Sequence, residues 1–123
     1  MTKSLPVLRK SLVLCSIAVS LALVPAGCNS GKPDVVIPVV MKKYSFDPPV
    51  IRVKRGQLVE LDVSTADVQH GFTVRDLGIK EPIPPHRPAK IIFKADRAGV
   101  FPMTCSIICG PGHDDMVGKI IVE

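Results

Sequence analysis

Ile51 and Val53 alternate with Arg52 and Lys54, Arg55-Gly56-Gln57 turns the chain, and Val59, Leu61 and Val63 then alternate with Glu60, Asp62 and Ser64. An apolar–polar period of two marks strands with one buried face, and two such runs around a short turn predict a hairpin. Further short apolar runs between turns predict strands at Gly71 to Val74, at Ala89 to Lys94 with Ile91 and Phe93 on one face, at Val100 to Cys105, and at Val117 to Val122. Val35 to Val40 and Met41 to Phe46 are expected to form an edge segment, because Pro38 cannot donate to a central ladder. Asp47-Pro48-Pro49 and Asp96 to Gly99 read as turns, and Arg75 to Pro88, with five prolines or glycines, as a long loop. No stretch sustains a 3.6-residue period. About seven short strands separated by turns predict an all-β, Greek-key sandwich over residues 35 to 123.

The first part of the chain follows different rules. Lys3, Arg9 and Lys10 precede an uncharged stretch from Ser11 to Val24 rich in Leu, Val, Ala and Ile. A basic start, an apolar run and then small residues read as an export signal over residues 1–28. Ala26-Gly27-Cys28 also resembles a bacterial lipoprotein cleavage box, in which the cysteine is lipidated, although Pro25 stands where that box prefers Leu. The alternative is an uncleaved membrane anchor, since the charge-free run reaches roughly the 20 residues a span needs. Either way the basic end stays in the cytoplasm and the rest lies at the outer face of the cytoplasmic membrane or in the periplasm. Residues 29–34 form a polar tether.

Charge narrows the choice of partners. The formal net charge is +5, but from residue 29 onward there are 13 Lys and Arg against 11 Asp and Glu, so the exported part is close to neutral. With no basic run and no series of stacking aromatics, nucleic-acid binding is not expected. Of the four cysteines, Cys15 and Cys28 belong to the export segment, leaving Cys105 and Cys109 for the domain.

Those two cysteines stand in Cys105-Ser106-Ile107-Ile108-Cys109-Gly110-Pro111-Gly112-His113-Asp114-Asp115-Met116. Two thiolates, an imidazole and a thioether within twelve residues make a soft-metal site on one loop. Thiolate and thioether favour copper, whereas zinc sites use Cys, His and carboxylate, so Met116 tilts the choice to copper. The loop joins two strands and lies at one end of the sandwich. His70, in Asp67-Val68-Gln69-His70-Gly71-Phe72, follows another strand at an end where loops meet.

Cys-x3-Cys-x3-His-x2-Met, preceded by Asp-Val-x-His-x-Phe, resembles the copper-A domain of cytochrome c oxidase subunit II and of nitrous oxide reductase. The similarity runs from about Met41 to Glu123 and includes Phe46, Pro49, the Gly56 turn, Leu77 to Lys80, Ile83-Pro84, Ala98 to Phe101 and the closing Gly118 to Glu123. The resemblance implies a cupredoxin-like sandwich holding two copper ions bridged by Cys105 and Cys109. His70 would bind one ion and His113 the other, with Met116 as weak axial ligand and the Ile107 carbonyl as the remaining one. Asp67, Ser106 and loop amides would tune the centre.

The chain departs from the oxidase pattern at Ile107, where many subunit II sequences carry a magnesium-holding Glu, so no magnesium is expected. It has no Trp, and Tyr44 is the sole tyrosine, so the aromatic patch that usually receives electrons from cytochrome c is missing. At most one hydrophobic segment replaces the usual two-helix hairpin.

Competing readings are a Cys105–Cys109 disulfide, and a mononuclear blue-copper site that would leave one thiol idle. His86, Asp114 and Asp115 read as solvated loop residues, and Met41 and Met103 as packing residues. No catalytic triad, phosphate loop or nucleotide motif is present, so the domain alone is not expected to catalyse a reaction. The resemblance implies membrane-tethered electron transfer from a cytochrome or small copper protein to a membrane oxidase or reductase, as a free carrier or as the electron-entry subunit of an oxidase. A copper chaperone for oxidase assembly is the alternative.

Overall fold

The computed structural model describes residues 31–123. The expected signal or anchor over residues 1–28, with Cys28, lies outside the described residues, as does the start of the tether. Its far end is tied down: Asp34 accepts the Leu58 N–H on its carboxylate at 2.7 Å and donates its own N–H to the Leu58 carbonyl at 2.7 Å.

Among the described residues nine strands form two sheets: β1 (Val35–Lys42), β2 (Ser45–Asp47), β3 (Val50–Val53), β4 (Leu58–Thr65), β5 (His70–Val74), β6 (Ile79–Ile83), β7 (Ala89–Lys94), β8 (Gly99–Cys105) and β9 (Val117–Val122). One sheet has the order β2-β1-β4-β7 and the other β3-β9-β8-β5-β6, an all-β sandwich. Single 3₁₀ turns at Arg75–Leu77 and His113–Asp115 are the helical segments among the described residues.

The alternating positions meet between the sheets. Val39, Met41, Val59, Leu61 and Val63 from the four-stranded sheet face Ile51, Phe72, Val74, Met103 and Ile120 from the other, all fully or almost fully buried. Phe46 and Phe72 pack edge to face with ring centroids 6.0 Å apart. Met41 and Met103 are core residues, as the sequence predicts. On the outer face, Glu60 is buried beside Lys90, which it shares with Asp62, and the two carboxylates hold the Lys90 ammonium above the ordinary lysine range.

Three sequence expectations need correction. β3 and β4 are not a hairpin: β3 pairs in parallel with β9, while β4 lies between β1 and β7 in the other sheet. Alternation reports which face is buried and says nothing about the partner strand. The long loop at Arg75 to Pro88 contains β6, an edge strand that tolerates Pro82 because only β5 pairs with it. β1 runs continuously through Pro38 and is flanked by two strands, but β2 pairs only with Val40, Met41 and Lys42. Pro38 therefore lies where β1 has a neighbour on one side only, which satisfies the proline rule locally.

β5 starts at His70 and β8 ends at Cys105. These strands run antiparallel with Phe72 opposite Cys105, which brings His70 to the end of the sandwich where the cysteine loop leaves β8.

Candidate metal centre

Cys105 is the last residue of β8 and Cys109 follows one short excursion later; both are buried and both thiols are free, with the sulfurs 4.0 Å apart. A disulfide needs about 2.05 Å between sulfurs, so the disulfide reading does not describe this structure. The loop turns back over Cys105, placing the Ile107 carbonyl 3.1 Å from its sulfur. The Gly71 N–H points at the same sulfur from 3.4 Å.

His70 is completely buried, and its Nδ1 lies 3.8 Å from Cys105 Sγ across 35 residues of sequence. Its Nε2 lies 2.7 Å from Asp67 Oδ1. A carboxylate there holds the proton on Nε2 and leaves the Nδ1 lone pair aimed at the sulfurs, the tautomer a metal ligand requires. His70, Cys105 and Cys109 bring their donor atoms within 4.8 Å of one another. His113 joins from the far side, with Nδ1 3.8 Å from Cys109 Sγ. Met116 is 1 % exposed and closes the loop, its N–H donating to the His113 carbonyl at 3.2 Å. Burial raises the Cys109 thiol above its ordinary range, and the neighbouring Cys105 adds to the effect. The Cys109 thiol therefore resists ionising without a cation beside it.

Asp67 is built into the chain around it. Partial burial would raise its carboxyl, but hydrogen bonds from the Lys43 N–H at 2.7 Å, from His70 and from the Val68 N–H at 2.6 Å outweigh that and bring it down to about 2. A carboxylate lowered on folding stabilises the native state above the unfolded pKa of about 3.9, and that support fades as pH falls through the folded value. Metal-free protein should therefore lose melting temperature between about pH 4 and pH 2 in a step that Asp67→Asn removes; identical pH profiles for the two proteins would contradict this role.

Sequence reasoning missed the part played by Tyr44. A Cβ at Gly110 would collide with the Tyr44 hydroxyl, and one at Gly112 would lie 2.5 Å from the ring, so the phenol is wedged against the backbone between Cys109 and His113. Gly110 also has φ +147°, a conformation that favours glycine. Two glycines around Pro111 were the available signal, since a loop kept bare of side chains often makes room for something. Gly71 is held the same way, because a Cβ there would collide with Ser106 Oγ. His86, Asp114 and Asp115 are exposed, and no described contact joins them to the cluster.

A two-sheet sandwich carrying buried sulfur and imidazole donors on the loops at one end has the architecture of the small blue-copper and copper-A class. The match to the cupredoxin-like domain model spans residues 13–122, and the chain belongs to that family. It is 27% identical over 95 residues to cytochrome c oxidase subunit 2 of Thermus thermophilus, covering 77% of this chain and 70% of that one. Against nitrous-oxide reductase of Pseudomonas fluorescens it is 36% identical over 75 residues, 58% of this chain but only 12% of the reductase. Among solved structures, the periplasmic domain of subunit II of the Bradyrhizobium japonicum cytochrome oxidase superposes with a TM-score of 0.69 at 24% identity, covering 76% of this chain and 86% of that one. Among the described residues no helix is long and apolar enough to cross a membrane.

Proposed function

We propose that this domain binds two copper ions through Cys105, Cys109, His70, His113, Met116 and the Ile107 carbonyl, and passes single electrons. The observation that carries the reading is His70: a buried imidazole from a distant strand presents its free nitrogen to a pair of unoxidised thiols. Bonds of about 2.3 Å to sulfur and about 2.0 Å to nitrogen, as at zinc, separate two donors on one ion by about 3.5 to 4 Å. The His70–Cys105, Cys105–Cys109 and Cys109–His113 separations of 3.8, 4.0 and 3.8 Å fit that spacing. Two ions held here would draw on both thiolates, with His70 and His113 as the imidazole donors and Met116 and the Ile107 carbonyl as further donors. The soft donor set selects copper.

Bound copper would supply a one-electron couple. The chain's own contribution is positional. Asp67 fixes the His70 ring, the Gly71 amide steadies Cys105, Tyr44 braces the loop carrying Cys109 and His113, and the core beneath keeps water from Met116 and His70. A framework this constrained limits movement of the donors when the charge of the centre changes, which favours fast transfer.

In this reading residues 35–123 are the copper domain, residues 1–28 direct export with a lipid on Cys28 or an N-terminal helix as anchor, and the domain works at the outer face of the cytoplasmic membrane. Its likeness to a cytochrome c oxidase subunit and to nitrous-oxide reductase supports a cytochrome as donor and a membrane oxidase or reductase as acceptor, with a small copper protein as the other donor proposed. The alternative, a copper chaperone, uses the same donors and is told apart by whether the protein surrenders its metal to an acceptor. The test compares two histidines: His70→Ala should reduce bound copper from two ions to about one, a loss larger than the roughly 10- to 100-fold affinity cost of outer-shell changes. His86→Ala should leave the metal content intact. Equal effects of the two substitutions would sink the ligand assignment.

A further inference from the structure

The outer face of the five-stranded sheet carries a second feature that the metal centre does not use. Register places Thr73 opposite both Lys80 on β6 and Thr104 on β8, so the three form one row across the sheet. Arg75 opens the 3₁₀ turn that follows β5 and lines the same hollow as Thr73. Ser106 folds over the other end of this row, with its hydroxyl directly above Gly71. Together Thr73, Arg75, Lys80 and Ser106, with Gly78 and Ile79, line an open hollow of about 310 Å³.

Its chemistry is one-sided. The lining holds two cations and two hydroxyls and no carboxylate, and among the described residues neither Arg75 nor Lys80 forms an ion pair. Asp76 lines a neighbouring hollow with Arg75, Pro102 and Thr104 and is not in the lining of this one. Thr73 Oγ1, in the hollow's lining, is sealed from solvent and has no hydrogen-bond partner. A buried hydroxyl without a partner is a standing cost to the fold, and a native structure that keeps one usually uses it.

We propose that this hollow binds a small oxyanion of phosphate or sulfate size, held by charge-assisted contacts from Arg75 and Lys80 and by the hydroxyls of Thr73 and Ser106. Arginine supplies a planar fork matched to two oxygens of a tetrahedral anion, and lysine a point charge for a third. Thr73 Oγ1 would gain the partner it lacks once the side chains that line the hollow rearrange around the anion. The occupied hollow would abut Ser106, whose N–H donates to the Gly71 carbonyl at 2.9 Å, one residue from Cys105. An anion there would stand beside the metal loop without touching a donor.

The experiment is a titration of the metal-free full chain with inorganic phosphate, followed by backbone amide shifts at ionic strength matched with sodium chloride. Saturable shifts centred on Thr73, Arg75, Lys80 and Ser106 are expected, and Arg75→Gln with Lys80→Gln should weaken binding by at least about tenfold, the equivalent of one charge-assisted contact. Thr73→Val should weaken it severalfold without lowering the melting temperature, since the hydroxyl it removes has no partner in the free protein. Linear shifts matched by chloride, saturation that survives the double substitution, or a response centred on other cations such as Arg52 and Lys119 would overturn the proposal. A drop in melting temperature for Thr73→Val with phosphate binding unchanged would do the same, because it would show the hydroxyl already satisfied in the fold.

Discussion

Cys109→Ser should abolish the dinuclear centre. A serine hydroxyl stays protonated near neutral pH and does not replace a soft thiolate, and Cys109 is the one residue in contact with both Cys105 and His113. Its loss leaves His113 without the sulfur beside it and removes half of the bridge. Copper content should fall from two ions to one or none, with affinity lower by more than about 100-fold, beyond the range that outer-shell changes cause. The fold itself should persist, since serine is smaller than cysteine and the loop is anchored by Tyr44 and by the Ser106–Gly71 hydrogen bond. A variant that keeps two coppers and an unchanged spectrum would show that Cys109 is not a bridge.

The second large effect belongs to the core. Phe72 is fully buried at the centre of β5, stacks edge-on to Phe46 and lies opposite Cys105 in the register. Phe72→Ala should cost about 3 to 5 kcal/mol, the lost transfer energy plus that of the cavity left behind. A domain of this size has only about 5 to 15 kcal/mol to lose, so the melting temperature should fall by on the order of 20 °C. Copper affinity should fall as well, because His70 and Cys105 are placed by the two strands this ring holds together. A melting temperature within about 4 °C of the native value, the shift that roughly 1 kcal/mol produces, would contradict the packing described here.

The two parts of the molecule were unequally legible in the sequence. β4 and β7 announce themselves by period-two alternation and β9 by its closing apolar run, and their ends fall within a residue or two of the expected ones. Which strand pairs with which is a different matter: Ile51 and Val53 look the same whether β3 turns back on β4 or crosses to β9, because both arrangements bury the same face. β6 was hidden by its composition, since Ile-Lys-Glu-Pro-Ile offers two apolar residues and a proline, and only the edge position makes that acceptable. β1 was half read, with Pro38 correctly marking a stretch with a free side but wrongly taken to limit the strand.

For the site, local spacing brought four side chains together on one loop without any knowledge of the fold. His70 is different. Its nearness to Cys105 depends on β5 and β8 being neighbours, which no spacing encodes, so the sequence offers it only as a residue at an end where loops meet and the resemblance supplies its role. Tyr44 escaped notice altogether, because its contact with Gly110 and Gly112 joins parts of the chain more than sixty residues apart, and the sole tyrosine was considered only as a remnant of a missing aromatic patch.

The central claim is most directly tested by loading the purified protein with copper, counting the metal per chain and recording the electron paramagnetic resonance spectrum after mild oxidation. The account predicts two coppers and a single unpaired electron whose hyperfine pattern reflects both nuclei. One copper per chain with a spectrum from a single nucleus, or a preference for zinc, would contradict it.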